Sequence, residues 1–491
     1  MISLFKNQPR TFSCVLFSFF IVLYVLPIIL TGRLYIDDLG RTLYGYSGWG
    51  LNGRPLSDAI MQTMSLGGEL LDLSPLNQIL SVLLLCITLY YYTEKVFSGI
   101  NFSGLLILCF LFISNPFYIE NLSYRFDSLT MALSMVLLIL PYTISGRRYI
   151  IDLFSVLLII ASLSLYQASI GLFAILAVIE VVTNCTDKSN KDVALIIIKR
   201  VLQLIISFAI YKTFISAHFV KDYYNITHSE VIKLNSDSLP VLIDNIKNFS
   251  WFLKSYFQSI PLIIRVMIVL AIIYSVLKIS HELCRDGLKN NFISILVLLT
   301  SPLLVLAFSI IPMAMLKSPV FAPRVLLSLS GAIMFYGFLI LRNIKSPVIL
   351  TVIFVPLIWL SFAYSYSFST ASKSQAEIDE IIATSVFQDV SHSGVAPRYV
   401  SVSGQMPKSR QLLIAENKLP LMSKLIPIYL NYDWVWGAEL LNHHGMNLEF
   451  KNLGHEKAGL ICKGNLISKG SLYSLYSFND IVIIDFLKTK C

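Results

Sequence analysis

Charged residues are scarce in this sequence: of 491 residues only 14% are Asp, Glu, Lys or Arg, while 56% are hydrophobic and the mean hydropathy is +0.71. A soluble globular domain carries roughly 25% charged residues, so a wholly water-exposed fold is excluded and the chain reads as a polytopic membrane protein. A Walker motif is missing, which removes the glycine loop that cradles nucleotide phosphates in P-loop proteins. There is no CxxC pair and no Cys/His spacing suited to zinc, no cofactor is expected, and the sequence leaves a divalent-metal requirement open. Internal repeats and low-complexity tracts are absent too.

Cysteine is sparse and unevenly placed. Cys14, Cys86, Cys109, Cys185 and Cys284 lie in or beside apolar stretches, while Cys462 and Cys491 lie in a polar tail. Those two can pair if the tail faces an oxidising compartment. The net charge of +9 does not point to nucleic acid, because from about Ser365 onward 12 Lys and Arg stand against 11 Asp and Glu. The excess belongs to the apolar half, where cytoplasmic loops collect basic residues.

At about 17–22 apolar residues per span, the sequence places eleven spans, plus or minus one. They lie near 13–31, 76–93, 102–119, 128–145, 149–165, 169–183, 201–217, 259–279, 292–312, 325–341 and 347–365. Lys6 and Arg10 precede the first, but "LPIILTGRLY" offers no small-residue cleavage site, so that stretch is expected to stay as an anchor. The alternate loops "TEKVFSGIN", "SGRRY", "NCTDKSNKDVALIIIKR", "KISHELCRDGLKNN" and "RNIK" are dense in Lys and Arg. By the positive-inside rule they and the N-terminus are cytoplasmic. An odd number of spans then puts the tail on the outside. Residues 1–365 are expected to form an all-α membrane domain with a first external loop at 32–75. Residues 366–491 are expected to form a small external α/β domain, with helices in "SKSQAEIDEIIATSVFQDV" and "LPLMSKLIPIYLNY" and strands in "RYVSVSG" and "DIVIIDF".

Polar chemistry gathers in the outer loops. "RLYIDDLGRTLYGYSGWGLNGRPLSD" places Asp37 and Asp38 directly behind the first span. A carboxylate in a protein cavity there is costly unless it is used, although an acidic pair also marks ordinary solvated turns. Arg41 stands four residues after Asp37 and three after Asp38, within reach of either on a helix. Neighbours on a helix point about 100° apart, so the two acids should have different roles. The second loop, "NPFYIENLSYRFDSL", sets Glu120, Arg125 and Asp127 among Tyr118, Tyr124 and Phe126. Carboxylates among aromatic faces suit a sugar, and the plainer reading of the tyrosines is an interfacial aromatic belt. Arg33, Arg54, Arg125 and Arg324 lie on the same side, and arginine matches phosphate through two parallel hydrogen bonds. For Arg324 the plainer reading is snorkelling toward headgroups. Tyr166 and Gln167 tip a tight hairpin, a position that needs polar residues in any case.

With these motifs in view, the sequence resembles the phage-type O-antigen glucosyltransferases of enteric bacteria. "YIDDLGR…GWGLNGRPLSD", "NPFYIENLSYRFDSLTMALS", about eleven spans and an external tail carry the resemblance over essentially the whole chain. It implies the C-type glycosyltransferase plan and transfer of glucose from undecaprenyl phosphate-glucose to a sugar of the lipopolysaccharide O-antigen. It places that transfer at the periplasmic face of the bacterial inner membrane, as in serotype conversion. It further implies an acid of the first outer loop in catalysis. Asp37 is then the general base on the acceptor hydroxyl, with Asp38 holding Arg41 or an acceptor hydroxyl. Arg33, Arg41, Arg54, Arg125 and Arg324 become candidates for the donor phosphate, and Glu120, Tyr124, Asp127, Tyr166 and Gln167 for the sugars. Membrane lipid, a polyprenyl-phosphate glucose synthase and a flippase are the implied partners. The residues agree on chemical grounds: a donor whose lipid lies in the bilayer must be met at the membrane surface, and one carboxylate base suffices for an inverting displacement.

Two rival readings stand beside this one. A flippase for a lipid-linked sugar would place charge along a midplane path and often show two related halves. Here the charges gather in outer loops and no halves match. The second rival is an O-antigen polymerase or another polyprenyl-phosphate-sugar transferase; such a polymerase tends to carry one large central external loop, whereas the largest external part here is the tail.

Overall fold

The computed structural model describes residues 10–221, 223–233, 238–285, 287–432 and 434–491. Lys6, one of the two basic residues preceding the first apolar stretch, lies outside them, as do parts of the loops at 218–258 and 280–291. The described chain is mostly helical and divides into two compact units. The first comprises residues up to Ile29, Gly48–Leu66 and Leu73–Tyr366, and the second comprises Leu30–Ser47, Gly67–Asp72 and Ser367–Cys491.

Every apolar stretch named above falls on a helix, but the helices are unequal. Among the described residues seven are long and apolar enough to cross a membrane: Arg10–Ile29, Leu76–Val96, Gln167–Asn184, Asn190–Phe219, Leu262–Arg285, Asn291–Ala314 and Pro347–Ser393. An eighth span would be the pair Phe102–Ile113 and Pro116–Ser123, bent by 60°. Three further apolar helices, Ser128–Tyr142, Tyr149–Leu163 and Leu329–Asn343, are shorter. The single span expected at 102–119 is thus broken, and the break follows from the sequence. The Asn115 side chain accepts the Phe117 N–H at 3.1 Å and Pro116 takes the first helical position, so a new helix starts there. Pro347–Ser393 runs for 47 residues because no glycine or proline interrupts it after Pro356 until Gly394, which leaves the helix at φ 71°. The last span and the first helix of the tail are one element, and the boundary between the units falls inside it.

The second unit holds a five-stranded sheet of β1 (Tyr399–Ser403), β2 (Glu449–Phe450), β3 (Asn465–Lys469), β4 (Ser474–Phe478) and β5 (Ile481–Asp485), in the order β2-β1-β5-β4-β3. β1 runs parallel to β2 and β5, while β3, β4 and β5 are antiparallel neighbours. All five residues of β5 are buried, four of them, Ile481 to Ile484, forming the apolar run expected in a sheet's centre. The expected strands at 398–404 and 480–486 appear as β1 and β5. The helix expected over "LPLMSKLIPIYLNY" does not form beyond Met422–Leu425. Pro427 has no N–H to donate and disfavours helical backbone at Ile426, whose ψ is 104°. Cys462 and Cys491 form a disulfide, and the other five cysteines are free.

Candidate active site

The residues singled out in the sequence are shared between the two units: Arg33, Asp37, Asp38 and Arg41 belong to the second, and the remainder to the first.

In the second unit, Asp37–Tyr44 is an eight-residue helix with both acids in its first turn, where they favour the positive end of the dipole. Gly45 closes it at φ 61°, its N–H donating to Arg41 O at 2.9 Å. Asp37 keeps 38% of its side chain exposed and pairs with Arg41 Nη1 at 3.7 Å. Asp38 has no exposed surface, and its Oδ2 accepts the Tyr35 N–H at 3.2 Å. Arg41 thus ion-pairs with Asp37, as the four-residue spacing allows. Arg41 is itself buried and lies 5.7 Å from the Tyr46 ring centre. His443, just past the helix Trp436–Asn442, donates from Nε2–H to Leu39 O at 2.9 Å.

Arg33 is differently employed from a phosphate fork. Its Nε and Nη2 donate to Asp379 Oδ2 at 3.0 and 2.6 Å, and Nη2 also donates to Pro427 O at 2.7 Å. Both partners of the ion pair are 4% exposed. Burial opposes the Arg33 charge, but Asp379, Tyr429 and Tyr35 more than restore it and hold its pKa above the ordinary arginine value. Tyr429 lies 4.5 Å beneath that guanidinium, and burial pushes its phenol pKa up to about 12, so it remains an O–H donor.

In the first unit, the two motifs that carry the family resemblance are joined directly. Trp49 Nε1–H donates to Asp127 Oδ1 at 2.6 Å, linking "GWGLNGR" to "SYRFDS". Asp58 closes the turn by accepting the backbone N–H groups of Trp49 and Gly50 at 3.0 and 2.5 Å. Arg54 Nε donates to Gln167 Oε1 at 3.0 Å, and its guanidinium lies 4.6 Å from the Tyr166 ring centre. Gln167 Nε2 donates in turn to Asn52 O and to Tyr211 Oη, at 2.8 and 2.7 Å, and the Tyr211 O–H donates to Gly53 O at 2.8 Å. Gly53 has φ 75°, and a Cβ there would lie 2.6 Å from Tyr211 Oη, so only glycine fits.

Glu120 sits on the short helix Pro116–Ser123 and is 1% exposed. Its Oε1 accepts from Arg324 Nη1 at 2.6 Å and its Oε2 from the Arg324 backbone N–H at 2.8 Å. Arg324 keeps 20% of its side chain exposed, lies 5.6 Å from the Tyr124 ring centre, and accepts the Tyr166 O–H through its carbonyl at 3.3 Å. Tyr118 and Tyr124 are 1% exposed, which a lipid-facing aromatic belt would not be. Arg125 is half-buried, and its carbonyl accepts from Asn77 Nδ2 at 2.8 Å. Arg54, Tyr166, Gln167, Tyr124, Glu120 and Arg324 thus form one connected cluster, while Asp127 is tied to Trp49. Among the described residues no three of His, Cys, Asp and Glu stand together as a metal ligand set.

Sequence reasoning passes over Trp49, Asp58, Tyr211, Asp379, Tyr429 and His443. Trp49 and Asp58 lie inside the first outer-loop motif, which is the signal that could have found them. Tyr211 stands in an apolar run and Asp379 on an ordinary charged helix, and only long-range contacts distinguish them.

Seven span-length apolar helices among the described residues define a helical membrane protein, and a connected cluster of carboxylate, arginine and tyrosine side chains lies within its first unit. The chain belongs to the glucosyl transferase GtrII family, whose family model matches residues 26–336. It is 30% identical, over 98% of its length and 99% of the relative's, to an uncharacterized 55.3 kDa protein in the gtrB 5′ region of Salmonella phage P22. No solved structure matches. The resemblance to the phage-type glucosyltransferases is thereby borne out, and the protein is a membrane glucosyltransferase.

Proposed function

We propose that the protein transfers glucose from undecaprenyl phosphate-glucose to a sugar of the lipopolysaccharide O-antigen, with inversion, at the periplasmic face of the bacterial inner membrane. A synthase of the polyprenyl-phosphate glucose and a flippase would supply the donor there. Eleven spans and a periplasmic C-terminal domain complete the reading, supported by the basic inner loops and the Cys462–Cys491 disulfide, a bond suited to an oxidising compartment.

Asp37 is the base that removes the acceptor hydroxyl proton as that oxygen attacks the anomeric carbon. The lipid phosphate leaves with the electrons of the glycosidic bond, its charge met by arginine. The observation that carries the assignment is the difference in access within the acidic pair: Asp37 reaches solvent while Asp38 is sealed and hydrogen-bonded to Tyr35. Arg324, oriented by Glu120, and Arg54, oriented by Gln167, are the arginines assigned to the phosphate, and Arg41 and Arg125 remain further candidates. Arg33 drops out because Asp379 and Pro427 hold it. Tyr124, Tyr166 and Asp127 line the sugar side.

The test is structural analysis of O-antigen from cells with the wild-type protein, with Asp37→Asn, and without the protein. Wild-type cells should carry side-chain glucose that both other strains lack, at equal polymer length. A change in polymer length in place of glucose would mean a polymerase. Asp37→Asn should lower transfer by about a hundred- to ten-thousandfold. Transfer at the wild-type rate would remove Asp37 from the mechanism.

A further inference from the structure

We propose that Tyr429, in the C-terminal segment, is a positioning residue for Asp37, acting by holding the backbone at Ile36 in a conformation that an unrestrained isoleucine leaves. The proposal rests on the assignment of Asp37 as base.

Ile36 immediately precedes the helix and has φ 49° and ψ −102°. A β-branched residue at positive φ is an outlier, because its Cβ crowds the backbone carbonyl. Such a conformation persists only where the surroundings over-determine it, and outliers of this kind cluster at functional sites. The surroundings here are a set of named contacts. A single phenol spans the peptide: Tyr429 Oη accepts the Ile36 N–H at 3.2 Å and donates to Leu34 O at 2.6 Å. The Tyr35 hydroxyl donates to Leu425 O at 2.7 Å, and the Tyr35 N–H is held by Asp38. Arg33 fixes the start of the segment through Asp379 and Pro427 O while stacking over the Tyr429 ring. Tyr429 is 1% exposed and stacks on Trp434, with ring centres 5.9 Å apart.

Residues 425–429 therefore grip residues 33–36 along their length, and the grip ends one residue before the base. If Ile36 relaxed to negative φ, the direction in which Asp37 leaves the chain would rotate with it. The otherwise ordinary segment around Pro427 acquires a purpose from this contact. That proline ends the helix early, and the backbone beyond it presents Leu425 O, Pro427 O and Tyr429 to residues 33–36. Asp38 then serves the base through the same segment, by holding Tyr35.

The experiment uses purified full-length protein in nanodiscs, a short-chain polyprenyl phosphate-glucose as donor and O-antigen polysaccharide as acceptor. Tyr429→Phe keeps the ring and both stacking partners and removes only the hydroxyl. It should lower kcat about ten- to a hundredfold, the scale of a misplaced reacting group, and leave the donor KM unchanged. In an Ile36→Gly background the same change should cost no more than about threefold, because glycine takes positive φ without the steric penalty. Ile36→Pro fixes φ near −65° and should lower kcat with Tyr429 intact. Equal losses in the isoleucine and glycine backgrounds, or wild-type kcat in either Tyr429→Phe or Ile36→Pro, would overturn the proposal. Asp37→Asn is measured alongside. If it is inactive while Tyr429→Phe is normal, only the positioning role fails; if it is active, the base assignment itself fails.

Discussion

Asp37 and Asp38 share a helical turn yet differ in exposure, and the roles proposed for them rest on that difference. An exposed carboxylate beside a buried arginine can accept a proton from an incoming hydroxyl, whereas Asp38 is committed to the backbone of Tyr35. Asp38→Asn keeps an oxygen for that bond and loses the charge. It should therefore lower transfer less than Asp37→Asn does, and its deficit should appear as a lower thermal midpoint of the purified protein. Arg324 poses a second residue-scale question. Glu120 holds both its backbone and one arm of its guanidinium, which leaves the orientation of the fork set before a phosphate arrives. Arg324→Lys cannot present that fork and should raise the donor KM with little change in protein abundance. Normal transfer by Arg324→Ala at limiting donor would return this residue to a headgroup contact.

Elements are bounded by a few residues whose chemistry is local. The helix Asp37–Tyr44 ends because Gly45 adopts φ 61°, and a Cβ there would lie 2.9 Å from Glu69 Cβ. Gly45→Ala meets both a strained backbone and a clash, so it should destabilise the protein by about 1–3 kcal/mol, read as a lower thermal midpoint. Within the same helix, Gly40 admits the Tyr46 ring, since a Cβ there would stand 2.8 Å from its hydroxyl. The break before Pro116 is equally local and is written in "NPFYIENLSYR" as an asparagine cap and a proline. Reading that stretch as the end of a straight span gives too much weight to apolarity. The same error makes a helix of "LPLMSKLIPIYLNY", where periodic apolar residues outweigh two prolines in the reading but not in the chain.

At the scale of the molecule, the sheet-bearing unit carries a histidine that reports its integrity. Burial lowers the His443 pKa below its ordinary 6.5, helped by His444 and opposed by the Leu39 carbonyl. The unfolded chain then takes up the proton first, so this contribution is complete above about pH 6.5 and is lost as pH falls below it. The thermal midpoint should drop on acidification toward about pH 5, and His443→Gln, which can still donate to Leu39 O, should flatten that part of the profile. The tail's compartment is checked by an alkaline phosphatase fusion after Cys491, expected to be active. An active cytosolic fluorescent reporter at the same point would mean a span is miscounted. Thiol labelling without reductant should find Cys462 and Cys491 blocked, and finding both free would contradict the disulfide.

The sequence alone determined that the chain is a membrane protein, where its apolar helices lie, which loops carry the polar residues, and to which family it belongs. These are properties of composition and of short, contiguous motifs, and the hydrophobic length of a span or the cap of a helix needs no distant partner. Tertiary structure decided which partners the polar residues take. Arg33 and Arg324 look alike in the sequence, yet one is held by Asp379, 346 residues away, and the other by Glu120, 204 residues away. Trp49 meets Asp127 and Tyr429 meets Ile36 in the same manner, through contacts across 78 and 393 residues. A hydrogen bond depends on a few tenths of an ångström and on direction, and neither is encoded in the residues at its two ends until the rest of the chain has packed around them.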